Sequence, residues 1–117
     1  MRRGTTPDYI LTVPGQDLRG SAVYVTISQE GAQVTLTGER LAVEAAAVGD
    51  DTPATTIAFR LTQRETLDLR AGQASVQVRW IEADGTAQAT EIGTIGIMPV
   101  LLEEVIDYAG NTPAGDG

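Results

Sequence analysis

Hydrophobic and polar residues alternate with a period of two in several short stretches of this chain. The clearest is GSAVYVTISQ, residues 20–29, in which apolar residues occupy every second position from Val23 to Ile27. Successive side chains of a strand point to opposite faces, so this alternation predicts a strand with one buried side. The same pattern, broken by turn residues, predicts seven strands, at residues 9–13, 20–29, 32–38, 41–45, 55–61, 75–81 and around 92–97.

The stretch SVQVRWIEADGTAQATEIGTIGI, residues 75–97, predicts a β-hairpin around the turn Asp84-Gly85. In its return strand Ile95 and Ile97 share one parity, whereas Ile92 has the opposite parity. The glycines at positions 93 and 96 indicate a β-bulge that restores the phase of this strand.

A short helix is predicted between the fifth and sixth strands. The motif TQRE places Thr62 and Glu65 at the spacing of a capping box, in which each side chain accepts a hydrogen bond from the other residue's amide. One or two helical turns follow, present Leu67 or Leu69 to the core, and end before residues 71–72.

Seven short strands with one helical segment before the sixth predict an all-β, antiparallel β-sandwich, with an open barrel as the alternative. The 117 residues and the 42% apolar composition fit one domain with a single core. The longest interruption, residues 45–55, is rich in breaker residues and is predicted to be a loop. We place the sandwich domain at residues 1–98, a C-terminal docking segment at 99–108 and a disordered tail at 109–117.

The net charge and the residue types that the chain lacks limit the range of possible functions. The net charge is −8, and residues 71–117 hold seven acids and a single base, Arg79. Such a field repels phosphate backbones and anionic lipids, so we expect no nucleic-acid partner and no membrane partner. The chain has no cysteine and no histidine, which removes thiolate chemistry and the usual neutral-pH acid–base group. We therefore predict a protein that is not an enzyme and has no catalytic residues, no cofactor and no metal site.

The N-terminal stretch MRRGTTPDYILTVPG has no apolar core and no small-residue cleavage site, so we do not expect it to be a signal peptide. No apolar run in the chain approaches the 18 residues that a membrane-spanning helix needs. Arg2 and Arg3 can bind a phosphate or pair with carboxylates of a partner protein, although basic residues at a terminus are usually solvated.

Two further sets of residues are weak candidates for ligand binding. Asp50 and Asp51, together with Asp8 or Asp17, offer oxygen ligands for calcium, but the EF-hand spacing is absent and such loop acids are usually solvated. Trp80 is a candidate platform for stacking a sugar ring. It shares the parity of the valines at positions 76 and 78, and is therefore expected in the core.

Apolar residues cluster in PVLLEEVID, residues 99–107, directly after the last predicted strand. Their i, i+3 and i+4 spacing matches one face of an amphipathic helix, with acidic residues on the other side. Such a stripe is suited to docking in a partner's groove or adding a strand to a partner's sheet; the alternative is that it covers the sandwich's own edge. The predicted partner-binding residues are Val100, Leu101, Leu102, Val105 and Ile106, together with Arg2 and Arg3.

The order of these motifs resembles that of a known family. RRGTTPDYILTVPG, then VYVTISQEG, then LTQRETLDLRAGQASVQVRWIEADGTAQATEIGTIGI, is similar to small virion proteins encoded among the tail genes of siphophages and prophages. It also resembles the N-terminal immunoglobulin-like domain of the phage baseplate upper protein family. The resemblance covers roughly residues 2–98 and includes the Arg-Gly-Thr-Thr-Pro start, the helical cap, the ADGTA turn and the final strand.

The resemblance implies an immunoglobulin-like sandwich that serves as a non-enzymatic structural component of a tailed-phage virion, in the baseplate, the tail tip or a head–tail adaptor or decoration. It implies partners that are other virion proteins, in a symmetric homo- or hetero-oligomer, and localisation in the virion after assembly in the host cytoplasm. The longer family members continue into a fibre-bearing C-terminal part that is not present here, which favours an adaptor over a receptor-binding role. The alternative function is a carbohydrate-binding or adhesion module of the β-sandwich type.

Overall fold

The computed structural model of the chain describes residues 1–47 and 53–107 and the backbone of residues 112–113. Strands make up most of it. They are β1 (Asp8–Pro14), β2 (Ala22–Gln29), β3 (Ala32–Thr37), β4 (Ala42–Ala47), β5 (Pro53–Arg60), β6 (Gly72–Ile81), β7 (Ala87–Ala89), β8 (Gly93–Ile97), β9 (Ile106–Asp107) and β10 (Thr112–Pro113). A 3-10 turn spans Gly38–Arg40, and the helix α1 spans Gln63–Asp68.

Strands β1 to β8 form two antiparallel sheets that pack as a sandwich, which confirms the predicted fold class; β9 and β10 pair separately. The three-stranded sheet has the order β1-β5-β4. The five-stranded sheet has the order β3-β2-β6-β7, and β8 also pairs with β6. In this sandwich β2 joins the sheet of β3 and β6 and not that of β1, whereas the first two strands of an antibody domain lie in the same sheet.

Alternation along the strands builds the core between the two sheets. In β2 the side chains of Val23, Val25 and Ile27 are buried, as the period of two predicts. The facing sheet contributes Ile57 and Phe59 from β5. Because a buried aliphatic or aromatic side chain contributes about 1.5–3 kcal/mol, this shared core is sufficient to hold the two sheets together.

The hairpin forms where the sequence predicts it, and a bulge forms in its return strand at residues 90–92, just before the glycines that indicated it. Gly85 has a φ of +91°, which a glycine adopts without strain, and the Thr86 amide donates to the Asp84 carboxylate at 2.8 Å. The return strand consists of β7 and β8, and residues 90–92 between them lie opposite only the two residues 77 and 78 of β6. This extra residue makes the bulge, whereas β8, which contains both glycines, pairs with β6 without interruption. Ile92 is exposed and Ile97 is buried, as the change of phase requires.

The capping box of α1 is also confirmed. The Glu65 amide donates to Thr62 Oγ1 at 3.1 Å, and the Thr62 amide donates to Glu65 Oε1 at 2.8 Å. Leu67 and Leu69 are both buried, so the helical segment closes one end of the sandwich.

The two strands that flank the predicted loop at residues 45–55 extend further into this range than expected. Strand β4 continues to Ala47 and β5 begins at Pro53, and residues 48–52 lie outside the described residues. The predicted tail, residues 109–117, lies outside them as well except for β10, which pairs with β9. In the part of the chain that the structure describes, no helix is long and apolar enough to cross a membrane.

Candidate functional site

Trp80 is not available as a sugar platform, because its side chain is only 4% exposed. It lies on the inner face of β6, opposite the buried Val23 of β2. The interpretation of Trp80 as a core residue is confirmed, and its interpretation as a stacking platform is wrong. The alternating pattern of β6 was sufficient to decide between the two.

The described acidic candidates for a calcium site each pair with a different arginine. Asp8 pairs with Arg60 at 2.7 Å, and the hydrogen bonds from Arg60 lower the pKa of this carboxyl. Asp17 pairs with Arg19 at 2.8 Å, and these hydrogen bonds lower its pKa to about 2. Asp50 and Asp51 lie outside the described residues. Within the described ranges, no three acidic residues are grouped as a metal site requires.

The docking segment, residues 99–107 in the structure, does not form the amphipathic helix that its spacing suggested. It leaves the end of β8 at Met98, runs without regular structure as far as Val105, and ends in the short strand β9. With Pro99 at its start and two β-branched residues at its end, the segment has too few helix-favouring residues for an isolated helix, which needs roughly 12–15 residues to be stable.

The large apolar side chains of this region lie on the surface. Leu101 is fully exposed, and Met98, Leu102 and Ile106 are about half exposed. The valines at positions 100 and 105 are half-buried against the body of the protein. No side chain of residues 99–107 is fully buried, so the segment adds little to the core. Four exposed, large apolar side chains thus lie within nine residues of chain, and clusters of exposed apolar side chains are typical of contact sites.

Arg3 holds the docking segment against the sandwich. Its side chain is only 14% exposed and makes an ion pair with Glu103. Its Nε donates to the Leu69 carbonyl at 2.6 Å, and its Nη2 donates to the Leu67 carbonyl at 2.7 Å. Arg3 therefore satisfies two carbonyls at the C-terminal end of α1, and at the same time it pairs with the Glu103 carboxylate of the segment.

Two further contacts fix the course of the segment. Arg2 donates to the Pro99 carbonyl at 2.6 Å, and its backbone lies beside Met98 in a parallel bridge. The Gln63 amide side chain donates to the Ile106 carbonyl at 3.1 Å and accepts from the Ile106 amide at 2.8 Å. The structure thus places Arg2 and Arg3 in contacts with their own chain, and their binding to a partner stays a prediction.

A groove of about 510 Å³ lies beside the docking segment. Its floor includes the fully buried Leu61, and Val105 of the segment forms one of its walls. Arg64 lies on its rim and makes no hydrogen bond or ion pair with any described residue. The remaining lining residues are Thr6, Arg40, Arg60, Thr62 and Gln63.

The candidate site is therefore a composite of the docking segment and this groove. The apolar residues of the segment follow from the sequence pattern, whereas the role of Gln63 does not, because it depends on the folded position of residue 106. The groove was not predictable either, since its walls come from strands, helix and segment that are distant in the chain. The chain matches no protein-family model, no curated protein and no solved structure.

Proposed function

We propose that this protein is a non-enzymatic structural component of a tailed-phage virion that joins neighbouring virion proteins through its docking segment. The contact role is inferred from a set of exposed apolar side chains on a segment that hydrogen bonds hold against the sandwich. These side chains are Met98, Leu101, Leu102 and Ile106. The assignment to a virion rests on the resemblance of residues 2–98 to tail-region proteins of siphophages and prophages.

The geometry favours a preformed contact surface over a segment that folds only on binding. Arg3, Arg2 and Gln63 each hold the segment through hydrogen bonds, so part of the ordering cost is met before a partner arrives. The adjacent groove is lined by the apolar Val105 and by Arg64, which has no partner among the described residues, so a partner with an apolar side chain next to a carboxylate is complementary to it.

The proposal has a direct test in purified particles. The protein should be present in virions by mass spectrometry, in a copy number that matches a rotational symmetry of the tail or its tip. A Leu101→Glu, Leu102→Glu variant should fold normally and be missing from particles, because both side chains are exposed in the unassembled protein.

A matched control is Ile10→Glu. Ile10 is equally apolar and even more exposed than Leu102, but it lies on the outer face of the three-stranded sheet. This control should enter particles normally. Virions that lack the wild-type chain, or a double variant that is incorporated as well as the wild type, would contradict the proposal.

A further inference from the structure

The outer face of the five-stranded sheet differs in charge from the rest of the molecule. The chain has 16 acidic residues, yet the five strands of this sheet contain none. Their single charged residue is Arg79 of β6, which is exposed and makes no hydrogen bond or ion pair with any described residue. A guanidinium that has no partner among the described residues, on strands that carry no carboxylate, is suited to binding an anion in an otherwise acidic protein.

A groove of about 410 Å³ crosses this face next to Arg79. Tyr24 lies directly opposite Arg79 in the β2–β6 ladder, and Ile81 lies two residues further along β6. Tyr24 and Ile81 are each 42% exposed, and Ala87 opposite Ile81 is small enough to leave a depression beside them. The groove volume lies within the range of roughly 300–1,000 Å³ that is usual for small-ligand sites.

Hydroxyl and amide groups line the remainder of the groove. Thr26 and Thr35 face each other on β2 and β3 with their hydroxyls 3.1 Å apart, and the Gln33 amide donates to Thr35 at 3.4 Å. These groups are already oriented by one another, and they retain further donor and acceptor capacity for a ligand. This part of the groove is therefore suited to a ligand that carries several hydroxyl groups.

We propose that this groove binds a carboxylated sugar, with Arg79 pairing the carboxylate and the Tyr24 ring packing against the C–H face of the sugar. An acidic peptide is the less suitable ligand, because β2 and β6 lie inside the sheet and their main-chain groups are already paired with neighbouring strands. Recognition here is by side chains alone. A bidentate Arg–carboxylate pair, an aromatic face and hydroxyl partners together match an acidic saccharide.

The net charge of −8 does not prevent such binding at physiological ionic strength. Charges separated by more than about 8 Å are largely screened at 0.15 M salt, and the five strands around Arg79 bring no carboxylate into that face. This site is distinct from the docking segment, and it gives the sandwich a ligand-binding surface in addition to its proposed structural role.

The test is a titration of the full chain, followed by NMR chemical shifts at 0.15 M salt. The probes are a galacturonic-acid tetramer and sialyllactose, with neutral galactose tetramer, lactose and a hexaglutamate peptide for comparison. At least one carboxylated sugar should bind with a Kd below about 1 mM and shift the Tyr24 and Arg79 amides. The neutral sugars should bind at least about tenfold more weakly.

Three variants distinguish specific binding in this groove from non-specific electrostatic attraction to the protein. Arg79→Gln should weaken binding by about tenfold or more, and Tyr24→Thr should weaken it while retaining a strand-favouring side chain. Arg64→Gln, which removes an arginine of α1 that also has no partner among the described residues, should bind as the wild type does. Thermal melts should show all three variants folded. Absence of binding by both carboxylated sugars, unchanged binding by Arg79→Gln, or equal binding of the hexaglutamate peptide would overturn the proposal.

Discussion

Trp80 is the largest side chain of the core, and one of its polar groups is buried without a hydrogen bond to any described residue. The indole ring lies between the two sheets, whereas its Nε1–H has no hydrogen-bond partner among the described residues. An unpartnered buried N–H costs free energy, so the stabilisation by Trp80 comes from the packing of its ring.

Trp80→Ala should therefore lower the free energy of unfolding by about 3–5 kcal/mol, because it removes a large buried ring from the core. Urea denaturation measures this loss directly. Trp80→Phe is the matched control, since it retains an aromatic ring and removes the unpartnered N–H, and it should cost clearly less. A loss below about 1 kcal/mol for the alanine variant would show that the ring is not in the core.

Glu65 couples the cap of α1 to an ion pair. Its carboxylate accepts from the Thr62 amide and from both terminal nitrogens of Arg40, at 3.0 and 2.6 Å. Partial burial works to raise the pKa of Glu65, but the hydrogen bonds from Arg40 and Thr62 outweigh it, and the pKa lies below its ordinary value of 4.5. The ionised carboxylate therefore stabilises the fold at neutral pH.

Glu65→Gln should be less stable than the wild type at neutral pH, and the difference should vanish in acid. The pKa of Glu65 is depressed in the folded state, so its contribution is fully present above the unfolded value near 4.5 and is lost as the pH falls through the folded value. Glutamine still caps the helix, so the comparison isolates the charge. Urea melts across this range measure it, and a difference that is independent of pH would contradict the assignment.

At the scale of elements, the bulge between β7 and β8 depends on one threonine. The Thr90 amide donates to the Val78 carbonyl at 2.9 Å, and the Val78 amide donates to Thr90 Oγ1 at 3.1 Å. The hydroxyl thus replaces the main-chain acceptor that the bulge displaces. Because Val78 is buried, its amide has no access to water as a substitute.

Thr90→Val should cost about 1–3 kcal/mol, since it keeps the shape of the side chain and leaves the Val78 amide without an acceptor. The Val78 amide should also exchange its hydrogen faster. Thr94→Val on β8 is the matched control, because Thr94 is exposed, and it should change stability by less than about 0.5 kcal/mol. Equal effects of the two substitutions would show that the hydroxyl has no structural role.

Arg3 determines how firmly the docking segment is held. Arg3→Met should leave the Leu67 and Leu69 carbonyls without their donor and cost about 1–3 kcal/mol. Hydrogen exchange should increase within residues 99–107 and remain slow in β2 and β6. Arg64→Met, which removes an arginine without partners among the described residues, is the control. Unchanged exchange in the segment of the Arg3 variant would mean that other contacts hold it.

The sequence was sufficient for local elements and insufficient for contacts across the fold. Period-two alternation located the strands around Val23–Ile27 and placed Trp80 inside, and the Thr62 box located the helix. The helical spacing of residues 101–106 was misleading, because so short a segment takes its conformation from the side chains that hold it. The pairing of Tyr24 with Arg79 depends on a register between strands that are 55 residues apart, which local patterns do not contain.

At the scale of the whole molecule, the sandwich and the docking segment have separate tasks. The buried residues lie within residues 13–97, whereas residues 99–107 contribute contacts and exposed apolar surface. The fold should therefore survive without the segment, and assembly should not. This separation is the central claim of the proposed function.

Truncation after Met98 tests that claim most directly, with the melting temperature and the incorporation into virions measured on the same variant. The shortened chain should lose the hydrogen bonds to Arg2, Arg3 and Gln63 and the partial packing of the two half-buried valines, yet it should melt cooperatively within a few degrees of the wild type. It should also remain monomeric and be missing from purified particles. If the truncated chain unfolds, the segment belongs to the core; if it folds and enters particles normally, the segment is not the docking element. Either result would contradict the account.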